Sequence, residues 1–250
     1  MMTARELVRR AVSAATDHKT LYVSGGFGAP LVGRNVERYC GNNAYNRAQA
    51  RQQLIRAAGD QDPPVYAWDC VGLIKGLLWG WTGDPSKTYG GAVYASNGVP
   101  DIGEDEMLRR CAGVSADFSG ICPGAAVWMP GHIGIYIGDG LAVESSPKWA
   151  NGAQITAVGD LGTVPGYNAR TWKKWGLLPY VDYEEAEIVT YEQWKEHMDR
   201  YRKELGELSG PAWGADEMAR GVELGITDGS RPEALATRQE VVSMIVRGRG

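Results

Sequence analysis

The chain has 250 residues, 44% hydrophobic and 22% charged, which is enough for one substantial core and a smaller second unit. A net charge of −4 argues against a nucleic-acid-binding surface, which needs a clustered basic excess. No stretch approaches the roughly 20 apolar residues of a membrane span. Residues 1–15 carry Arg5, Glu6, Arg9 and Arg10 where a secretory signal has an apolar core, so synthesis in the cytoplasm without a signal peptide is expected.

Residues 3–18 read as a helix with Leu7, Ala11 and Ala15 on one stripe. An extended piece follows from Leu21 and is ended by glycines. Residues 34–64 are polar; within them 48–58 has strong helix propensity and stops at Gly59. Next comes Trp68-Asp69-Cys70-Val71-Gly72-Leu73-Ile74. Asp69 is a good N-cap and puts Cys70 at the first helical position, where free N–H groups and the positive dipole end favour a thiolate. Val71, Ile74, Leu77 and Leu78 recur at helical spacing, giving a face that packs while the cysteine end opens elsewhere. Residues 82–101, rich in Gly, Pro, Tyr and Ser, read as a long ordered loop.

From Pro123 the pattern changes to short strands over 125–129, 132–137, 141–144 and 153–157, and 172–181 supplies a last one. Helices followed by a strand meander predict an α+β domain with helices on an antiparallel sheet. Cys40, Cys70, Cys111 and Cys122 lack paired metal-ligand spacing and read as free thiols, and no cofactor is implied.

A cysteine nucleophile needs a base and a group that orients the base. His18 and His197 read as solvated. His132 starts a strand whose isoleucines (Ile133, Ile135, Ile137) face the core, which leaves the histidine on the other face. If Gly138-Asp139-Gly140 is a three-residue loop, Gly134 faces Glu144. Glu144 then lies diagonal to His132, about 7–8 Å by backbone spacing. A two-residue loop would flip Glu144 to the opposite face.

Tyr22-Val-Ser-Gly-Gly, Asp69-Cys70-Val-Gly-Leu-Ile, Pro123-Gly124 with Val127-Trp128, and Gly131-His132-Ile-Gly-Ile-Tyr-Ile-Gly resemble the NlpC-type, papain-like cell-wall cysteine peptidases over about residues 1–180. The resemblance implies Cys70 as nucleophile, His132 as base and Glu144 as third catalytic residue. The family more often has His, Asn or Gln at that third position. It also implies Tyr22 beside the nucleophile, and Trp68, Asp69 and Trp128 along the substrate. The substrate class is the peptidoglycan stem peptide, cut between γ-D-glutamate and the diamino acid. Ser24, Val71 and Ala125 depart from the common pattern. The long stretch after Gly26, an insertion at about 30–65, resembles phage lysins and is expected to wall the substrate groove.

Beyond the peptidase-like domain (1–184), residues 188–208 read as an amphipathic heptad helix. Thr190 and Gln193 form its capping box, and Tyr191, Trp194, Met198, Tyr201, Leu205 and Leu208 its seam. Residues 209–250, with Trp213 in a first helix, Gly225-Ile-Thr-Asp-Gly and a second capping box at Thr237 and Glu240, resemble one S-layer homology repeat. That resemblance implies binding of a secondary wall polymer, with the heptad helix gathering chains into an oligomer or packing on its own domain. The whole resembles an endolysin-like peptidoglycan hydrolase acting at the cell wall after phage-holin-type release. Two other readings stay open: an N-acetylmuramoyl amidase or acyltransferase on the same fold, and an inactive wall-binding protein.

Overall fold

The computed structural model describes residues 1–183, 191–210 and 214–248, and it divides into two units, 1–184 and 185–250. In the first unit β1 (Met2–Thr3) leads into α1 (Ala4–Thr16), whose N-cap Thr3 accepts a bond from the Glu6 amide. The buried stripe of α1 is Leu7, Ala11 and Ala14, one residue off the expected Ala15. β2 (Thr20–Tyr22) and β3 (Phe27–Pro30) flank a glycine turn.

The polar region that follows folds into three helices: α2 (Arg34–Gly41), α3 (Ala44–Arg47) and α4 (Gln49–Gly59). Only the last is visible as a propensity run. β4 (Tyr66–Trp68) then pairs with β2 in parallel and with β3 antiparallel, and α5 (Cys70–Leu78) starts two residues later. Residues 82–101 hold neither helix nor strand.

After α6 (Glu104–Arg110) come β5 (Ala112–Ser115), β6 (Ala126–Met129), β7 (His132–Gly138), β8 (Leu141–Ser146), β9 (Gly152–Val158), β10 (Ala169–Arg170), β11 (Lys174–Leu177) and β12 (Val181–Asp182). The main sheet has the order β10-β9-β8-β7-β6-β11-β5, with consecutive antiparallel hairpins through its centre, while β1 and β12 form a parallel pair. The unit is thus mixed α and β.

One face of the sheet carries the main core: Leu7 and Ala11 of α1, Leu73, Ile74 and Leu77 of α5, and Ile133, Ile135 and Val143 of the sheet. All nine residues of α5 are buried, so the helix packs on every side rather than on the one face expected. The other sheet face is also covered, by Phe118, Trp172 and Trp175 against Tyr136. β7 is therefore buried on both sides.

The second unit contains α7 (Tyr191–Glu207), α8 (Ala215–Glu223) and α9 (Arg238–Arg247). Thr237 and Glu240 form the expected reciprocal capping box, which satisfies two orphan donors at the start of α9. Neither α8 nor α9 buries a residue fully, and Val242, Ile245 and Val246 are exposed. Thr190 and Trp213 lie outside the described residues, as does the side chain of Gln193. Among the described residues no helix is long and apolar enough to cross a membrane.

Candidate active site

Asp69 caps α5 as expected: its backbone is extended and its carboxylate accepts from the Gly72 amide. The second carboxylate oxygen accepts from the Gly25 amide at 2.7 Å, so Asp69 ties the glycine turn to the helix start. The approach is close. A Cβ on Gly72 would sit 1.9 Å from the Gly26 carbonyl oxygen, so only glycine fits there.

Cys70 is 7% exposed at the first position of α5. Burial pushes its thiol pKa up to about 12, with the Asp69 and Glu104 charges adding to the effect. The nearby backbone amides of Ile133 and Val71 oppose the rise without overcoming it. The resting group is thus a thiol, where the helix start alone had suggested a thiolate. The Ile133 amide is the next one along the chain from His132, so the sulfur lies against the start of β7.

His132 Nε2 lies 2.6 Å from Glu144 Oε2. An ionised carboxylate only accepts, so Nε2 carries the proton and Nδ1 keeps a free lone pair. Glu144 is fully buried. Its Oε1 accepts from Thr156 Oγ1 at 2.8 Å and from Arg170 Nε at 3.0 Å, and its Oε2 also accepts from the terminal nitrogen of Arg170. Burial alone would raise the carboxyl pKa; the bonds from His132 and Arg170 reverse this and hold it below the ordinary value. The imidazole stacks on Trp172, ring centroids 5.4 Å apart and planes 9° from parallel.

Beside the helix start lies a cleft of ≈ 440 Å³, lined by Gly26, Asp69, Lys75, Tyr89, Tyr94 and Asp101, among others. Tyr94 donates to Asp101 at 2.7 Å, and Arg38, from the insertion, reaches both Tyr89 and the cleft wall. Asn42, Asn43 and Asn46 of the insertion all donate to the Ser24 carbonyl, and Arg51 bonds the Tyr22 carbonyl. The insertion therefore both braces the Tyr22–Gly26 loop and contributes Arg38 to the cleft.

Cys70, His132 and Glu144 are gathered around the start of β7. Tyr22 lies close enough to Cys70 and Asp69 for their charges to help burial raise its pKa. Trp128 is half-buried, with its indole N–H on Asp105 at 3.0 Å. Trp68 is a correction: it is 0% exposed, packed against Trp81 at 5.0 Å, and offers no surface to a substrate. Asp69 lines the cleft, but each of its oxygens is already engaged by a backbone amide. His18 is a second correction. It is half-buried, edge-on to Tyr66 of β4 and to Trp81 just beyond α5, rather than fully in solvent. His197 is exposed as expected.

Sequence reasoning missed Arg170 and Trp172 as site residues. Neither belongs to a local motif; the pairing of β10 with β9 and of β11 with β6 brings them in. Among the described residues, no group of three or more His, Cys, Asp or Glu side chains is arranged to hold a metal. Comparison with protein-family models and with curated proteins finds no match for this chain.

Proposed function

We propose that the chain is a papain-like, NlpC-type cysteine peptidase that hydrolyses a peptidoglycan stem-peptide amide, between γ-D-glutamate and the diamino acid. The observation that carries this reading is the His132–Glu144 hydrogen bond of 2.6 Å, which frees Nδ1, together with a cysteine at a helix start beside the adjacent Ile133 amide.

The high thiol pKa makes the base necessary. Cys70 gives its proton to His132 Nδ1 as the sulfur attacks the carbonyl, and Glu144, accepting from Nε2, keeps the imidazole oriented through the transfer. The Cys70 N–H, which has no partner within the helix at its first position, and the Tyr22 hydroxyl hold the oxyanion. His132 then protonates the leaving amine. Water, deprotonated by the neutral imidazole, releases the acyl group from the thioester. Trp172 and the buried sheet keep bulk water from the back of the imidazole.

Within the second unit, 209–250 supplies wall-polymer binding in this reading, and the heptad helix (188–208) supplies association between chains. Release to the wall follows a phage-holin-type route. The test is digestion of purified peptidoglycan by wild type and Cys70→Ser, with fragments identified by mass spectrometry. New stem-peptide ends that vanish in the variant support the proposal. Freed lactyl ends would instead identify an amidase, and intact wall with wild type would overturn hydrolysis.

A further inference from the structure

Arg170 takes no part in the proton transfers above, yet it is the group most tightly bound to Glu144. Its Nε and a terminal nitrogen grip the two carboxylate oxygens as a fork, and the same nitrogen reaches Ser146 Oγ at 3.2 Å. The guanidinium carbon lies 4.7 Å from the Trp149 ring centroid, and the side chain is 11% exposed against 0% for Glu144. A bidentate fork of this kind fixes direction as well as charge.

We propose that Arg170 is a positioning residue that cancels the charge of Glu144, so that this carboxylate orients His132 as a neutral amide would. The inference rests on the peptidase reading of Cys70 and His132. An uncompensated buried carboxylate at 2.6 Å from Nε2 would hold the imidazolium to high pH and starve deacylation of neutral base. With Arg170 in place, the carboxylate and the guanidinium form a neutral buried pair, and what the imidazole meets is a fixed acceptor. The charged groups facing Glu144 are His132 from β7 and Arg170 from β10; β9 offers the neutral Thr156 and Gln154. On the cysteine side the acidic groups are Asp69 and Glu104. Asp160 is engaged by the Trp172 amide at 2.7 Å.

Iodoacetamide alkylation of Cys70 in the full chain tests this without any wall substrate. The peptide containing Cys70 is followed by mass spectrometry across pH: the thiol gives its proton only to a neutral imidazole, so the rate rises along one limb as the imidazolium is deprotonated. Arg170→Met is expected to move that limb to higher pH by about one unit, a change of about tenfold in rate along it. Glu144→Gln, which leaves the guanidinium unpaired, moves it to lower pH. The double variant Glu144→Gln/Arg170→Met returns it close to wild type. A purely structural role would shift or slow both single variants alike and the double variant more. Single shifts of the same sign, or a double variant that sums them, overturn the proposal. Arg170→Lys keeps the charge and the wild-type limb, which covers the case in which Arg170→Met does not fold; a displaced limb in the lysine variant also overturns it. Opposite shifts from a wild type that leaves peptidoglycan uncut would sink the peptidase reading and leave the neutral pair standing.

Discussion

Gly134 and Glu144 face each other across the β7–β8 pair, although the turn joining the strands is shorter than the sequence suggests. Gly138 pairs with Leu141, so the turn proper is Asp139-Gly140, with φ of 52° and 72°. Two positive φ values are the signature of a type I′ hairpin turn. Such a turn alone would put Glu144 on the wrong face. A bulge between Tyr136 and Gly138 adds one residue to β7 and restores the register. The carboxylate reaches His132 because two single-residue changes cancel.

The glycine at that crossing has no room for a side chain. A Cβ would lie 2.8 Å from the Val143 carbonyl oxygen and 3.2 Å from the Trp172 ring. Gly134→Ala is expected to destabilise the fold by about 1–3 kcal/mol and to slow wall digestion by displacing Glu144 and Trp172. Urea unfolding with a digestion assay checks both, and a variant as stable and active as wild type contradicts the packing.

Gly72→Ala should cost more. Its Cβ meets backbone, the Gly26 carbonyl oxygen, at 1.9 Å, and backbone yields less readily than a side chain. The expected loss is at least about 3 kcal/mol, enough to appear as poor expression or a sharply lowered melting temperature. A melting temperature within a few degrees of wild type would refute it.

Glu144 gives a pH signature. Its folded pKa lies below the ordinary 4.5, so the folded state holds this proton less tightly than the unfolded chain does. The stabilisation is complete above about pH 4.5 and is lost as pH falls through the folded value. Melting temperatures of wild type are expected to drop more steeply from about pH 5 to pH 3 than those of Glu144→Gln. Parallel slopes would contradict the buried ion pair.

Trp172 separates stacking from hydrogen bonding, because its indole N–H has no partner among the described residues. Trp172→Phe keeps a ring over His132 and is expected to retain cleavage within about tenfold. Trp172→Ala opens a large cavity, costs about 3–5 kcal/mol and is expected to lower kcat well beyond the phenylalanine variant. Equal kcat in the two variants would remove Trp172 from the site.

Local chemistry was readable in the chain. Asp69 before Cys70 announces a capped helix, and the alternation from His132 to Ile137 fixes which residues face the core. The 12-residue separation of His132 and Glu144 fits one hairpin, so that pairing too could be argued from spacing. Arg170 could not, because it meets Glu144 only after β9 and β10 have paired. Trp68 was misjudged for the opposite reason: adjacency to Cys70 in sequence says nothing about a strand that points its ring into the core. The insertion read as polar because its buried apolar residues, Tyr39, Cys40, Ile55 and Ala58, are split between two short helices, while its asparagines bond the Ser24 carbonyl.

The nucleophile is tested most directly by trapping the acyl-enzyme. Wild-type protein mixed with soluble muropeptides and quenched in acid is expected to carry an acyl thioester on the Cys70 peptide, seen as a discrete mass gain that hydroxylamine removes and Cys70→Ala abolishes. Stem-peptide cleavage that continues in Cys70→Ala, with no adduct on wild type, would contradict the account.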